Sequence, residues 1–207
     1  VAPEMYLSGY QCDDLVLRAD FMGDVAAGIA RLANLTSDGG PAIIVGAPHE
    51  ENGRIFNSVF VLDDGQIIAR RDKVNLPNYG VFDDKRNFTA GALPGPVMLR
   101  GIKFGLPICE DIWFGDVCAH LKAEGAELLV SPNGSPFERG KHDKRCAHAH
   151  ARVGETGLPL VYVNQFGGQD ELVFDGGSFV MAGDGEIAVQ GAVWSSDIMI
   201  TDWHCGD

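Results

Sequence analysis

The sequence predicts an α/β fold whose sheets are mixed rather than purely parallel. Stretches with helical periodicity alternate with short apolar runs typical of buried strands, and three pairs of such runs flank turn sequences typical of hairpins. Hairpins pair their strands antiparallel, whereas strand–helix–strand units pair them in parallel, so a chain that contains both builds a mixed sheet. The 207 residues fit one large domain, and 45% of them are hydrophobic, which is enough for a sizeable core.

The first half of the chain predicts one helix, one isolated strand and two hairpins. Apolar residues recur at helical spacing from Leu15 to Leu32, and the glycines and proline at 39–41 end that pattern. The apolar run 42–47 is typical of a strand. The hairpins turn at Asp63-Asp64-Gly65 and Arg100-Gly101-Ile102, with strands at 57–62, 66–71, 97–99 and 103–108.

The second half predicts two helices, two buried strands and a third hairpin. The helices are expected at 114–124 and 143–155, and the strands at 128–131 and 160–165. Strands at 178–181 and 186–189 flank the turn sequence Gly183-Asp184-Gly185. No apolar run reaches about 18 residues, so the sequence predicts no membrane span.

The net charge and the missing nucleotide motifs disfavour several classes of partner, and the cysteines indicate a compartment. Acidic residues outnumber basic ones by 29 to 16, giving a formal net charge of −13, which disfavours nucleic acid and anionic membranes. The chain has neither a P-loop nor a glycine-rich dinucleotide motif, so no nucleotide site is expected in it. Five scattered cysteines without a paired motif indicate reduced thiols in a cytoplasmic protein: Cys12, Cys109, Cys118, Cys146 and Cys205.

Cys109 is the first candidate for chemistry. It ends an apolar strand at a polar turn that leads towards a helix, a place where backbone N–H groups can stabilise a thiolate. A lone cysteine is more often a buried structural residue, but two acidic residues directly after a core strand are not typical of packing. Lys73 and Glu4 also lie at strand ends, although each alone is usually a surface charge. Together the three residues supply a nucleophile, a cation and a base.

The segments around these residues resemble the three motifs of the nitrilase (carbon-nitrogen hydrolase) superfamily. The motifs at 3–10, 73–83 and 107–113 occur in the family's order of Glu, Lys and Cys. Residues 78–88, the triplet 135–137 and Lys141 further resemble the glutaminase domains of glutamine-dependent NAD+ synthetases. The resemblance implies a nitrilase-like α-β-β-α sandwich and hydrolysis of glutamine.

The resemblance also implies roles for individual residues. Glu4 would be the general base, Lys73 the second catalytic residue and Cys109 the nucleophile. The residues matching glutamine-binding positions are Tyr79, Ser135 and Lys141. The family usually has glutamate where this chain has Asp84, so a carboxylate one methylene shorter would have to reach Lys73. Glu110 could instead face the ammonium group of the substrate, and the sequence leaves this open.

The same resemblance implies a larger assembly. Residues 1–207 would form a single glutaminase domain that lacks the family's first strand and helix, as part of a longer chain. Its ammonia would pass to a C-terminal synthetase domain that uses ATP and Mg, while this domain needs no cofactor or metal. The histidines of one predicted polar helix, such as His148 and His150, point to different faces and form no convincing ligand set. A homo-oligomer is expected.

Two other functions remain open. The chain could be a stand-alone amidase or nitrilase that acts on another small amide. It could also be a non-enzymatic relative that keeps the fold as a binding module, although the presence of Glu4, Lys73 and Cys109 together argues against that.

Overall fold

The computed structural model describes residues 1–204, so Cys205 lies outside the described residues. Within that range eleven strands form three sheets: β1 (Ile43–Glu51), β2 (Arg54–Asp63), β3 (Gln66–Asp72), β4 (Val97–Leu99), β5 (Ile102–Gly105), β6 (Leu128–Asn133), β7 (Leu160–Asn164), β8 (Phe166–Gln169), β9 (Leu172–Asp175), β10 (Phe179–Met181) and β11 (Ile187–Gln190). The helices of the same range are α1 (Ala19–Leu35), α2 (Asp84–Asn87), α3 (Asp116–Ala123) and α4 (Lys141–Thr156), with 310 helices at Asp13–Leu17 and Cys109–Ile112. None of the helices described has the length and apolar character to cross a bilayer.

The smaller sheet is antiparallel, in the order β1-β2-β3, and α1 covers its outer face. Val25, Ile29 and Ala33 recur every four residues, so they share one face of the helix. That face packs against Val45 of β1 and Phe60 of β2.

The larger sheet has six strands in the order β11-β10-β7-β6-β5-β4 and is mixed. β5, β6 and β7 run parallel, while β4, β10 and β11 pair antiparallel with their neighbours. α3 and α4 cover one face through residues such as Leu121 and Val153, which pack against Leu129 and Leu160.

The other face of the large sheet packs against the small sheet. Ile44 and Val59 from the small sheet meet Val97, Leu128 and Val130 from the large one. The layers are therefore helix, sheet, sheet and helix, which confirms the predicted α-β-β-α sandwich with mixed sheets.

Several predicted elements need correction. The single helix predicted from Leu15 to Leu32 is two elements, because Arg18 is extended (ψ 122°) between the 310 helix and α1, and Leu15 is exposed. β1 continues to Glu51 and turns into β2 at Asn52 and Gly53, so the isolated strand belongs to a hairpin. The hairpin β8–β9 was not predicted, and the strand expected to end at residue 108 ends at Gly105.

Candidate active site

Glu4 is brought into the interior by the N-terminal segment, which lies against β1. The backbone N–H of Gly46 donates to the carbonyl of Pro3, and the N–H of Leu7 donates to the carbonyl of Gly46 (both 3.2 Å). A Cβ at position 46 would overlap the backbone of Met5, so only glycine permits this close approach. Glu4 is completely buried as a result.

Lys73 forms a buried charge cluster with two carboxylates. It is the first residue after β3, and its Nζ lies 2.8 Å from Glu4 Oε1 and 2.9 Å from Asp84 Oδ2. Burial alone would lower the pKa of Lys73, but the negative charge of Glu4, the nearby Tyr10 and the charge of Asp84 raise it well above its ordinary value. Lys73 is therefore a buried cation and not a solvated surface charge.

Asp84 reaches Lys73 although its side chain is one methylene shorter than glutamate. It begins the short helix α2, and its other oxygen accepts a hydrogen bond from the hydroxyl of Tyr10 (2.9 Å). Burial raises the pKa of Asp84, while the charge of Lys73 opposes that rise. The shorter carboxylate is accommodated because the chain brings α2 up to Lys73.

Cys109 begins the 310 helix that follows β5. Its φ of 45° lies in the left-handed region, which non-glycine residues rarely adopt and which is often found at functional sites. Burial, followed by the charge of Glu4, raises the pKa of the thiol well above its ordinary value, although Lys73 opposes this. The raised pKa favours the neutral thiol, so a nucleophilic reaction requires a base to remove its proton.

Two neutral donors hold the carboxylate of Glu4 in place. Asn57 of β2 donates its Nδ2 to Oε1, and the backbone N–H of Gly134, directly after β6, donates to Oε2 (both 2.7 Å). Together with Lys73, they fix the carboxylate from three segments of the chain.

Tyr79 and Glu110 form the outer part of the site. The hydroxyl of Tyr79 lies 2.9 and 3.0 Å from the two carboxylate oxygens of Glu110, the residue after Cys109. Tyr79 is about half exposed (49%), whereas Glu110 is buried (6%). Burial raises the pKa of Glu110, and the hydrogen bond from Tyr79 and the charges of Lys73 and Lys141 act in the opposite direction.

Lys141 lies at the start of α4 and is largely buried. Its Nζ is 3.3 Å from Glu138 Oε2 and lies 5.1 Å from the ring centroid of Trp113. Its charge also acts on Glu110, so a cation and a carboxylate face the same region.

Ser135 follows Gly134 in the loop after β6 and is buried. Its Oγ accepts a hydrogen bond from Arg145 Nε (3.0 Å), and its backbone N–H donates to Asn164 Oδ1 (3.0 Å). Arg145 is itself held by Asp175, at 2.9 Å. The acceptor capacity of Ser135 is therefore partly used, while its hydroxyl hydrogen can still be directed to a ligand.

The structure gathers the predicted residues at one end of the sandwich. Glu4 contacts Lys73 directly, and its charge acts on the thiol of Cys109. The remaining candidates surround these three through their neighbours: Tyr79 through Glu110, Ser135 through Gly134 and Lys141 through its charge on Glu110.

The sequence did not identify four polar residues of this site: Asn57, Arg145, Asn164 and Asp175. Each is buried and bonded to a residue distant in sequence, and nothing local distinguishes them from ordinary strand or helix residues. Within residues 1–204 no group of three or more His, Cys, Asp or Glu side chains lies close enough to hold a metal ion.

A sequence profile of the family described as Carbon-nitrogen hydrolase matches residues 1–206. The chain belongs to the carbon-nitrogen hydrolase family. Among its relatives in that family, the glutamine-dependent NAD(+) synthetase of Rhodobacter capsulatus is 46% identical over 204 residues, which are 99% of this chain and 37% of that protein. This carbon-nitrogen hydrolase chain thus spans little more than a third of that relative.

Solved structures of family members have the same fold. The glutamine-dependent NAD+ synthetase from Acinetobacter baumannii superposes with a TM-score of 0.89 at 37% identity, over 95% of this chain and 37% of that one. An amidase from Nesterenkonia sp. AN1, with an acrylamide adduct on its active-site cysteine, gives 0.81 at 26% identity, over 93% of this chain and 74% of that one.

Proposed function

We propose that this chain hydrolyses glutamine to glutamate and ammonia through a thioester on Cys109. The observation that carries the proposal is the buried ion pair of Glu4 and Lys73 close to the buried Cys109, whose pKa the charge of Glu4 raises. A polar rim formed by Tyr79 and Glu110 lies beside it. The likeness to glutamine-dependent NAD+ synthetases over nearly the whole chain supports glutamine as the amide.

In the first half-reaction the Cys109 sulfur attacks the amide carbon while Glu4 takes the thiol proton. The Lys73 ammonium stabilises the negative oxygen of the tetrahedral intermediate. The carbon–nitrogen bond then breaks, and Glu4 returns the proton to the leaving nitrogen, so ammonia departs and a γ-glutamyl thioester remains.

In the second half-reaction Glu4 takes a proton from water as the water oxygen attacks the thioester carbon. The carbon–sulfur bond breaks, the sulfur recovers the proton, and glutamate leaves. No electron is transferred to or from an outside group, so the cycle needs only glutamine and water.

The polar rim fits the other end of glutamine. Glu110 supplies a carboxylate for the substrate ammonium, and Lys141 supplies a cation for the substrate carboxylate. Tyr79 hydrogen-bonds to Glu110 and can position it, and the hydroxyl of Ser135 adds a donor.

We further propose that residues 1–207 form one domain of a longer chain, because the relatives share only 37% of their length with it. The remainder would be a synthetase domain that uses ATP, Mg and the released ammonia to amidate deamido-NAD+. On the same resemblance we propose that the protein is cytoplasmic and forms a homo-oligomer. Light scattering of the purified protein tests the oligomeric state.

The alternative is an amidase that acts on another small amide. It is favoured by the amidase structure, of which this chain covers 74%. The two functions differ in the amino-acid end of the substrate, since only glutamine uses the charges of Glu110 and Lys141.

Ammonia release from L-glutamine and from propionamide decides between them. A glutaminase site should prefer glutamine by at least about tenfold in kcat/KM, because propionamide has no charged end to interact with Glu110 and Lys141. Cys109→Ala should abolish release, whereas Cys118→Ala, on the buried face of α3, should retain it. Equal use of both amides would favour the amidase, and activity in Cys109→Ala would refute the thioester.

A further inference from the structure

Asp111 connects the two chain segments that carry Lys73 and Cys109. Its Oδ1 accepts hydrogen bonds from the backbone N–H groups of the two residues that follow Lys73 (3.1 and 2.7 Å). Its Oδ2 accepts from the N–H of Ile108, the residue before Cys109 (2.9 Å). One carboxylate therefore fixes the backbone next to both reacting side chains.

The surroundings of Asp111 suit an acceptor of backbone hydrogen bonds and not an ion pair. Only 1% of its surface is exposed, and within residues 1–204 no cationic nitrogen forms a salt bridge with it. Burial raises its pKa to about 6, while the N–H donors of Asn75, Ile108 and Val74 favour the charged form. Both oxygens face the backbone, so neither is directed to a substrate.

We propose that Asp111 is a positioning residue that sets the separation between the Lys73 ammonium and the Cys109 sulfur. The proposal rests on the glutaminase function described above. Glu4 and Asp84 hold the far end of the Lys73 side chain. The Lys73 backbone donates to the carbonyl of Asn57 and accepts from the N–H of Gly91 (both 2.8 Å), and neither contact involves the Cys109 turn. Asp111 joins the segment after Lys73 to that turn, so it can set the distance between the two side chains. A misplacement of about 1 Å between reacting groups can lower a rate by about 10²-fold.

Asp111→Asn tests the proposal with almost no change of shape. Two backbone N–H groups donate to one carboxylate oxygen and a third donates to the other. The amide of Asn has only one oxygen, so its NH2 group must face a backbone N–H on one side or the other. We expect kcat for glutamine to fall about 10- to 100-fold with KM within about threefold, since the polar rim keeps its own side chains.

Thr36→Val is the matched control. Thr36 is also 1% exposed, and its hydroxyl connects two segments by accepting from the N–H of Gly65 (3.0 Å) and donating to the carbonyl of Ala33 (2.7 Å). It lies at the end of α1, away from the site, so Thr36→Val should lose stability but keep kcat. A comparable loss of kcat in both variants at similar Tm would overturn the proposal.

A second measurement is independent of the substrate. The rate of alkylation of Cys109 by iodoacetamide, followed by peptide mass spectrometry in the full-length protein, should fall at least about threefold in Asp111→Asn and not in Thr36→Val. Wild type that fails to use glutamine would refute the glutaminase function alone, whereas unchanged alkylation and kcat in Asp111→Asn would refute the positioning role alone.

If Asp111→Asn does not fold, Asp111→Glu keeps both acceptors but displaces them by a methylene. Asp111→Glu should also lower kcat about 10- to 100-fold with KM within about threefold. Failure of both variants to fold would make Asp111 a requirement for folding as a whole and would overturn the proposal.

Discussion

Cys109 combines a left-handed backbone with a thiol held beside Glu4. Desolvation and the carboxylate both favour the neutral thiol, so the nucleophile requires a base, the role proposed for Glu4. This differs from cysteines whose pKa is lowered by a helix N-terminus or a histidine, where the thiolate exists before the substrate arrives.

The pH dependence of alkylation tests this resting state. Iodoacetamide reacts with the thiolate, and a raised pKa means that the thiolate fraction is still increasing above pH 9.0, the ordinary pKa of cysteine. We predict that the rate at Cys109 rises throughout pH 7 to 9.5 without a plateau, with glutathione as the reference thiol. A plateau below pH 8 would indicate a resting thiolate paired with Lys73 and would contradict the prediction.

At the scale of elements, two separate segments converge on Lys73, which directly follows β3: the N-terminal segment with Glu4 and the short helix α2 with Asp84. The sequence suggested Glu4 and Lys73 because each lies at a strand end within a family motif. It could not show the contacts, because 69 residues separate Glu4 from Lys73 and a four-residue helix is too short for a periodic pattern.

The charge balance of this cluster can be tested by substitution. Lys73→Gln leaves two buried carboxylates without a cation, which should lower the free energy of unfolding by about 3–5 kcal/mol. Adding Asp84→Asn removes one of these charges and should recover part of the loss in urea unfolding. Both variants should lose about 10²- to 10³-fold in kcat, because the oxyanion contact is absent.

Two outcomes would contradict this account. Unchanged stability in Lys73→Gln would mean that Lys73 does not neutralise the carboxylates. More than about a tenth of wild-type kcat in Lys73→Gln would remove Lys73 from the catalytic set, since an oxyanion contact contributes more than that. Lys73→Arg keeps the charge, but its bulkier planar group should also fail in this buried position.

The approach of the N-terminal segment to β1 makes a further prediction. Gly46→Ala should push this segment away, displace Glu4 and lower both Tm and kcat, since the added Cβ meets rigid backbone. Gly23→Ala is the control, because it lies in α1 with no atom near its Cβ and should stabilise the protein by about 0.5–1 kcal/mol. Full activity in Gly46→Ala would show that Glu4 does not depend on this contact.

At the scale of the whole molecule, the alternation of strands and helices was sufficient to predict a mixed α/β fold, and the family resemblance implied its layered sandwich. The boundaries required information that the local pattern lacks. Leu15 fits a helical period but lies in a separate 310 helix, and β8 contains two glycines in Phe166–Gln169, which weakens any strand signal. The site was predictable where motifs mark it. The motif at 107–113 includes Asp111 but does not show its contacts with the segment after Lys73, and Arg145 lies outside the motifs.

In a full-length protein, the thioester chemistry and the proposed use of ammonia can be separated. In the proposed mechanism glutamine hydrolysis needs Cys109, whereas the amidation can use ammonia from any source, so ammonia links the two reactions and they share no side chain. We predict that Cys109→Ala abolishes NAD+ formation from deamido-NAD+ with glutamine but retains it with ammonium chloride. Replacing the thiol by hydrogen removes a single heavy atom, so Tm should stay close to wild type. Loss of both activities at unchanged Tm would show that the sites are not separable, and retention of both would mean that Cys109 is not the source of the ammonia.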